Sequence, residues 1–142
     1  MTSKSNKVDE RFSNFNCAQT VFSLFAPELG IDEKAALKIS SGFGGGMTCA
    51  ETCGAVTGSY MVLGMKHGHS TSDSDEKANT KLRIQKFNEK FIAKHGSLIC
   101  KKLLDSDIST IEGLASARKK NLFKTKCPSF IKSACEILES DL

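Results

Sequence analysis

The sequence predicts an all-α protein, a compact single-domain bundle of about five to seven helices around a glycine-rich central helix. Three observations carry that expectation. Apolar residues recur at three- and four-residue spacing, as in Phe15, Ala18, Val21, Phe22 and Phe25, which is the period of one helix face. Runs of alternating β-branched residues, the mark of half-buried strands, are few. Only 2 prolines and no tryptophan occur in 142 residues, so little interrupts helix formation. With 39 % hydrophobic and 25 % charged residues the composition is that of an ordinary soluble domain. A chain of this length buries about two thirds of its unfolded surface in one core.

Residues 1–10 are polar and read as a flexible N-terminus, with 11–142 as a single helical domain. From about Ser13, FNCAQTVFSLFAPELG gives a first helix, which Pro27 is expected to end near Ala26. Cys17 lies in its first turn, where unpaired amides and the positive end of the helix dipole favour a thiolate. Asp32 caps a second, short helix carrying Ala35, Ala36 and Ile39 on one side, and Gly42 stops it.

The stretch from Ser41 to Gly68 organises the rest. It holds eight of the eleven glycines, two of the six cysteines and three of the four methionines. A flexible run, Gly42 and Gly44 to Gly46, is followed by a largely buried central helix from Thr48 to about Lys66, closed by His67 and Gly68. On such a helix Cys49, Cys53 and Thr57 share a face, and Ala50, Gly54 and Gly58 form a bare neighbouring stripe. Each helical glycine costs about 1 kcal/mol relative to alanine. Two of them in five residues therefore imply a close packing partner, and the first helix is expected to lie against them.

A polar turn, HGHSTSDSDEK, leads to a fourth helix capped by Ser72 or Ser74. Its buried stripe is Leu82, Ile84, Phe87, Phe91 and Ile92, and Gly96 closes it. Near Cys100 the pattern is mixed, either extended at Ile99-Cys100 or opening a helical turn at Cys100. A helix over about 109–122 follows, and Cys127-Pro128 begins the last, ending near Glu139, because proline suits a first helical turn.

Several function classes are excluded or weakened. The N-terminus lacks the apolar core of a secretory signal, and the longest apolar run, Cys53 to Met65, falls short of the roughly 20 residues of a membrane span. The expectation is a cytoplasmic protein without membrane insertion. GFGGG lacks the GK[ST] ending of a phosphate loop and follows a helix, against a dinucleotide fingerprint. Between Lys77 and Lys126 thirteen Lys or Arg face only Glu89, Asp105, Asp107 and Glu112. That excess reads first as solvated helix faces. Its functional reading is a docking surface for an acidic redox partner, and with no nucleic-acid motif beside it no nucleic acid is expected.

In a reducing compartment six cysteines are buried thiols, metal ligands or a working redox set rather than a disulfide framework. Cys17, Cys100 and Cys127 fall at helix starts, and Cys53 lies in the central helix with Cys49 one turn earlier. No C-x-x-C pair is present, so any active constellation must be assembled by the fold. Cys49 and Cys53 at i,i+4 would suit two ligands on one metal as well as a disulfide. Cys135, mid-helix among apolar residues, reads as core. His67, His69 and His95 stand beside Gly68 and Gly96 and read as helix-end residues, with ligation beside cysteine the alternative.

Cys17 in FNCAQ, the loop SGFGGGM, ETCGAVTG around Cys53, then Cys100 and Cys127-Pro together resemble the C_GCAxxG_C_C family of redox-active proteins. That resemblance puts Cys17, Cys53, Cys100 and Cys127 at the four family cysteine positions, with Cys49 and Cys135 as additions. It implies thiol–disulfide or electron-transfer chemistry, with Cys53 and Cys17 as one candidate pair and Cys100 and Cys127 as the other. The alternative is a zinc or iron–sulfur site on the same four cysteines, with Cys49 as an extra ligand. A helical binding module with inert thiols is the third reading.

Overall fold

A computed structural model describes residues 3–141. Among these residues the α-helices are α1 (Val8–Phe12), α2 (Cys17–Leu29), α3 (Glu33–Ser40), α4 (Gly54–His67), α5 (Ser74–His95), α6 (Cys100–Leu103), α7 (Ile111–Lys119), α8 (Leu122–Thr125) and α9 (Cys127–Asp141). Six of them run eight residues or more, as a bundle of five to seven helices requires, and three are little more than a turn. The only strand-like pairing among the described residues is one antiparallel bridge, Thr52 with Ile99.

α2 and α4 form the centre, and the glycine stripe explains how. A Cβ at Gly54 would fall 2.9 Å from the Cys17 Cβ, and one at Gly58 would fall 2.8 Å from the Ala18 carbonyl oxygen. Bare backbone at both positions lets α2 lie directly on α4, and the buried contact offsets the poor helix propensity of glycine. α9 crosses this pair and also packs on α5. The largest side chains of the shared core are Phe25, Phe87, Phe91, Leu104, Ile131 and Leu138.

The central helix is shorter than its composition suggests. It begins at Gly54, not Thr48, because Gly45, Gly46, Met47 and Thr48 all hold φ near +60°, and Ala50 does too. This left-handed turn costs about 1–2 kcal/mol at each non-glycine position. It removes Cys49 from the face of Cys53, and Ala50 from the stripe of Gly54 and Gly58. At its other end Gly68 does cap the helix, in an extended rather than left-handed conformation.

Three other expectations shift. α2 starts at Cys17, since Asn16 and Gln19 form a reciprocal capping box, and it runs through Pro27 to Leu29 before Gly30 closes it at φ 71°. Pro27 lacks only its own N–H, and the fully buried Ala26 beside it holds the last turn in place. On α5, capped by Asp73 rather than a serine and closed by Gly96 as expected, the buried stripe is only Phe87 and Phe91 with Ile84 beside them. Leu82 and Ile92 are 47 % and 43 % exposed. The lead-in read as a flexible segment has structure from Lys4 onward: Lys4–Lys7 form a 3-10 turn along α9, Val8 is fully buried, and the Ser3 hydroxyl donates to Glu139 at 3.0 Å. Residues 1–2 of that lead-in lie outside the described residues.

Candidate functional site

Cys17, Cys53, Cys100 and Cys127, far apart in sequence, line one pocket of about 190 Å³. Each stands where a helix begins: Cys17, Cys100 and Cys127 are the first residues of α2, α6 and α9, and Cys53 is the N-cap of α4. The sequence located three of these helix starts and missed the fourth, because the left-handed turn that delays α4 is encoded partly by non-glycine residues. The positive ends of four helices thus converge on one group of thiols, which favours negative charge there.

Local hydrogen bonding fixes the arrangement. The bridge at Thr52 and Ile99 places Cys53 and Cys100 on either side of it, the Cys53 amide donating to the Leu98 carbonyl at 2.8 Å and the Cys100 amide to the Glu51 carbonyl at 2.6 Å. Both cysteines therefore flank that bridge, and both line the same pocket. The left-handed turn presents Glu51, whose own amide donates to Gly46 at 3.1 Å. A side chain at Gly46 would strike Glu51 and come within 3.0 Å of the Cys100 Cβ. Gly44 presses likewise on Asn16, whose side-chain amide donates to the Ser41 carbonyl at 3.0 Å, tying the loop to the start of α2.

Cys53, Cys100 and Cys127 are buried where they line the pocket, Asn16, Phe12, Ile108 and Phe123 are partly exposed, and Cys17 is partly exposed as a residue with its thiol buried. No charged side chain lines it. In that apolar setting the thiols differ. Burial pushes Cys53 up to about 11, against the downward pull of the Ala55 and Val56 amides. Burial, reinforced by the Cys53 and Cys127 sulfurs, pushes Cys100 up to about 12. Cys17 and Cys127 interact directly. A hydrogen bond from the Cys17 thiol holds Cys127 below the usual thiol value despite burial, and the same bond, followed by burial, lifts Cys17 well above it.

This reverses the expectation for Cys17. Its position at a helix start would favour a thiolate, but the Gln19 amide at that end is already taken by the Asn16 side chain and the Thr20 amide by the Asn16 carbonyl. Cys17 holds its proton more tightly than an ordinary thiol, and Cys127 is the more readily ionised of the pair.

The remaining candidates lie elsewhere. Cys49 is exposed on the left-handed turn, its thiol donating to the Gly46 carbonyl at 3.2 Å. Cys135 is fully buried within α9, where burial pushes it up to about 12. His95 pairs with the Ser133 hydroxyl at 2.8 Å and His69 with the Thr71 carbonyl at 3.0 Å, while a buried His67 nitrogen has no hydrogen-bond partner; none of the three histidines lines the pocket. Four thiols are a suitable donor set for zinc or an iron–sulfur cluster. Among the described residues, however, no three His, Cys, Asp or Glu side chains gather closely enough to share one ion.

Sequence reasoning missed Asn16 and the aromatic walls Phe12, Phe123 and Phe130. Asn16 was readable, since N-x-x-Q before an apolar run is a capping-box signal. The walls carried no local signal, coming from three helices that only the tertiary fold brings together.

No helix among the described residues is long and apolar enough to cross a membrane. A family model described as "Putative redox-active protein (C_GCAxxG_C_C)" matches residues 15–140, a span that contains all four pocket cysteines. Neither a curated protein nor a solved structure matches the chain.

Proposed function

The chain belongs to the C_GCAxxG_C_C family, and from that premise we propose that it is a dithiol redox protein in which Cys127 attacks and Cys17 resolves. The observation that carries this reading is the gathering of Cys17 and Cys127 with two further thiols in one apolar pocket, where the interaction of the pair holds Cys127 below and lifts Cys17 above the usual thiol value. That interaction makes one sulfur the easier to ionise and holds the proton more tightly on its partner beside it, which suits a two-step exchange.

The steps balance without any further reagent than a disulfide, R–S–S–R. The Cys127 thiolate attacks one sulfur, forming Cys127–S–S–R and expelling RS⁻, which takes the Cys17 proton. The Cys17 thiolate then attacks the Cys127 sulfur, closing a Cys17–Cys127 disulfide and releasing the second RS⁻. Two electrons pass to the substrate; the protein loses one proton and ends oxidised. Run backward, the same steps oxidise a dithiol.

This pairing differs from the Cys53–Cys17 and Cys100–Cys127 pairs suggested by family position. Cys53 and Cys100 form a second dithiol across the Thr52–Ile99 bridge. With values near 11 and 12 they are protonated at neutral pH and slow to attack.

The test uses protein purified without oxygen, its metal content measured and its disulfides mapped after one equivalent of a mild oxidant. A metal-free protein with a Cys17–Cys127 bond is the expected result. One zinc or several irons per chain, with four thiols shielded until chelation, would replace this reading with the metal site. Six thiols inert to the oxidant would favour a binding module.

A further inference from the structure

Resting on that dithiol reading, we propose that the substrate is a small uncharged disulfide or dithiol with an apolar body, which enters the pocket whole, and not a disulfide displayed on the surface of another protein. The enclosure of the sulfurs carries this. Cys53, Cys100 and Cys127 are only 5 %, 7 % and 6 % exposed, and with Cys17 they line a pocket whose partly exposed walls include Phe12, Ile108 and Phe123. A disulfide fixed on the surface of a folded partner cannot be brought into line with a sulfur so enclosed, whereas a small disulfide that enters between those side chains can.

The lining sets the chemistry of that group. About 190 Å³ bounded by Phe12, Leu103, Leu104, Ile108, Phe123 and Phe130 accepts a disulfide with short apolar arms. It offers no cation for a carboxylate and no carboxylate for an ammonium, and burying an unpaired charge there is costly. A neighbouring groove shares Phe12 and Phe123 with the pocket and is lined besides by Asp9, Ser13, Lys124 and Pro128. Polar groups of a longer substrate therefore belong several bonds away from its sulfurs.

The test compares dipropyl disulfide with the similarly sized anionic 3,3′-dithiodipropionate and cationic cystamine as oxidants of the fully reduced protein. Each rate is divided by that disulfide's rate with a free small thiol, which removes intrinsic reactivity. The expected result is a normalised rate at least tenfold higher for the neutral compound. In Ile108→Lys, a change on a loop at the mouth, the anionic compound should gain and the cationic one should not. Equal normalised rates for all three would overturn the apolar-substrate proposal while leaving the dithiol reading intact. Rapid oxidation by a protein disulfide such as oxidised thioredoxin, matching the best small disulfide, would overturn it as well. Failure of every disulfide to form the Cys17–Cys127 bond would instead remove the dithiol reading on which the proposal rests.

Discussion

At the scale of the residue, the four pocket cysteines have similar sequence surroundings and different chemistry. All begin helices, yet only Cys127 falls below the ordinary thiol value, because only it receives a hydrogen bond from a neighbouring thiol. The raised groups have a stability consequence whose sign is fixed. Cys53, Cys100 and Cys135 titrate near 11, 12 and 12 in the folded chain against 9.0 for an ordinary thiol. The unfolded chain loses these protons first, so the stability they contribute is complete below about pH 9 and is lost as pH rises through about 11–12, at up to roughly 1.4 kcal/mol per pH unit for each group. Denaturant unfolding of the reduced protein across that window should show the decline, and Cys135→Ala should make it shallower. Cys49, exposed and outside the pocket, should be alkylated readily, and Cys49→Ser should leave the rate of Cys17–Cys127 disulfide formation unchanged. Candidate residues were legible at this scale because cysteine is sparse and chemically distinct; which thiol carries the proton was not, since that depends on two residues 110 positions apart.

At the scale of the element, the α2–α4 contact and the loop before it hold the site. Gly58→Ala would drive a methyl group to 2.8 Å from the Ala18 carbonyl oxygen, with backbone on both sides and no flexible side chain to yield. Overpacking of this kind costs about 1–3 kcal/mol, and thermal unfolding should register it as a fall of several degrees in Tm. Gly54→Ala meets the Cys17 Cβ instead, so it should also slow Cys127 alkylation by displacing the donor, an effect absent from Gly58→Ala. The glycine stripe and its partner helix could be read from sequence, because small residues at i,i+4 speak directly about close approach. The start of α4 could not. Met47, Thr48 and Ala50 adopt a left-handed conformation that their own preferences oppose, held by the Glu51 amide on Gly46 and the Glu51 carbonyl on Cys100. Local propensity has no access to a partner fifty residues away.

At the scale of the whole molecule, α2, the loop leading into α4, α6 and α9 meet at a single apolar pocket, and closing Cys17 to Cys127 would tie the beginning of the fold to its last helix. A bond across a loop of about 110 residues restricts the unfolded chain strongly, and typical disulfides contribute about 2–4 kcal/mol. The oxidised protein should therefore unfold at a higher temperature than the reduced one, as calorimetry of the two forms would show; an equal or lower Tm would mean the bond is strained. The helical class was evident from periodicity alone, and the meeting of the four thiols was expected from their family positions. The proposed pairing of Cys17 with Cys127 was not, because it rests on how α9 docks against α2.

The most direct measurement of the central claim is the pH dependence of Cys127 alkylation, followed by mass spectrometry in the wild type and in Cys17→Ala and Cys17→Ser. The account predicts an apparent pKa for Cys127 below that of an ordinary thiol, raised in Cys17→Ala with alkylation near neutral pH about tenfold slower, as expected for loss of a hydrogen bond to a charged group. The Cys17→Ser hydroxyl, still a donor, should restore part of the rate. An unchanged titration of Cys127 in both variants, or a Cys17 that reacts first in the wild type, would contradict the assignment of Cys127 as the attacking thiolate.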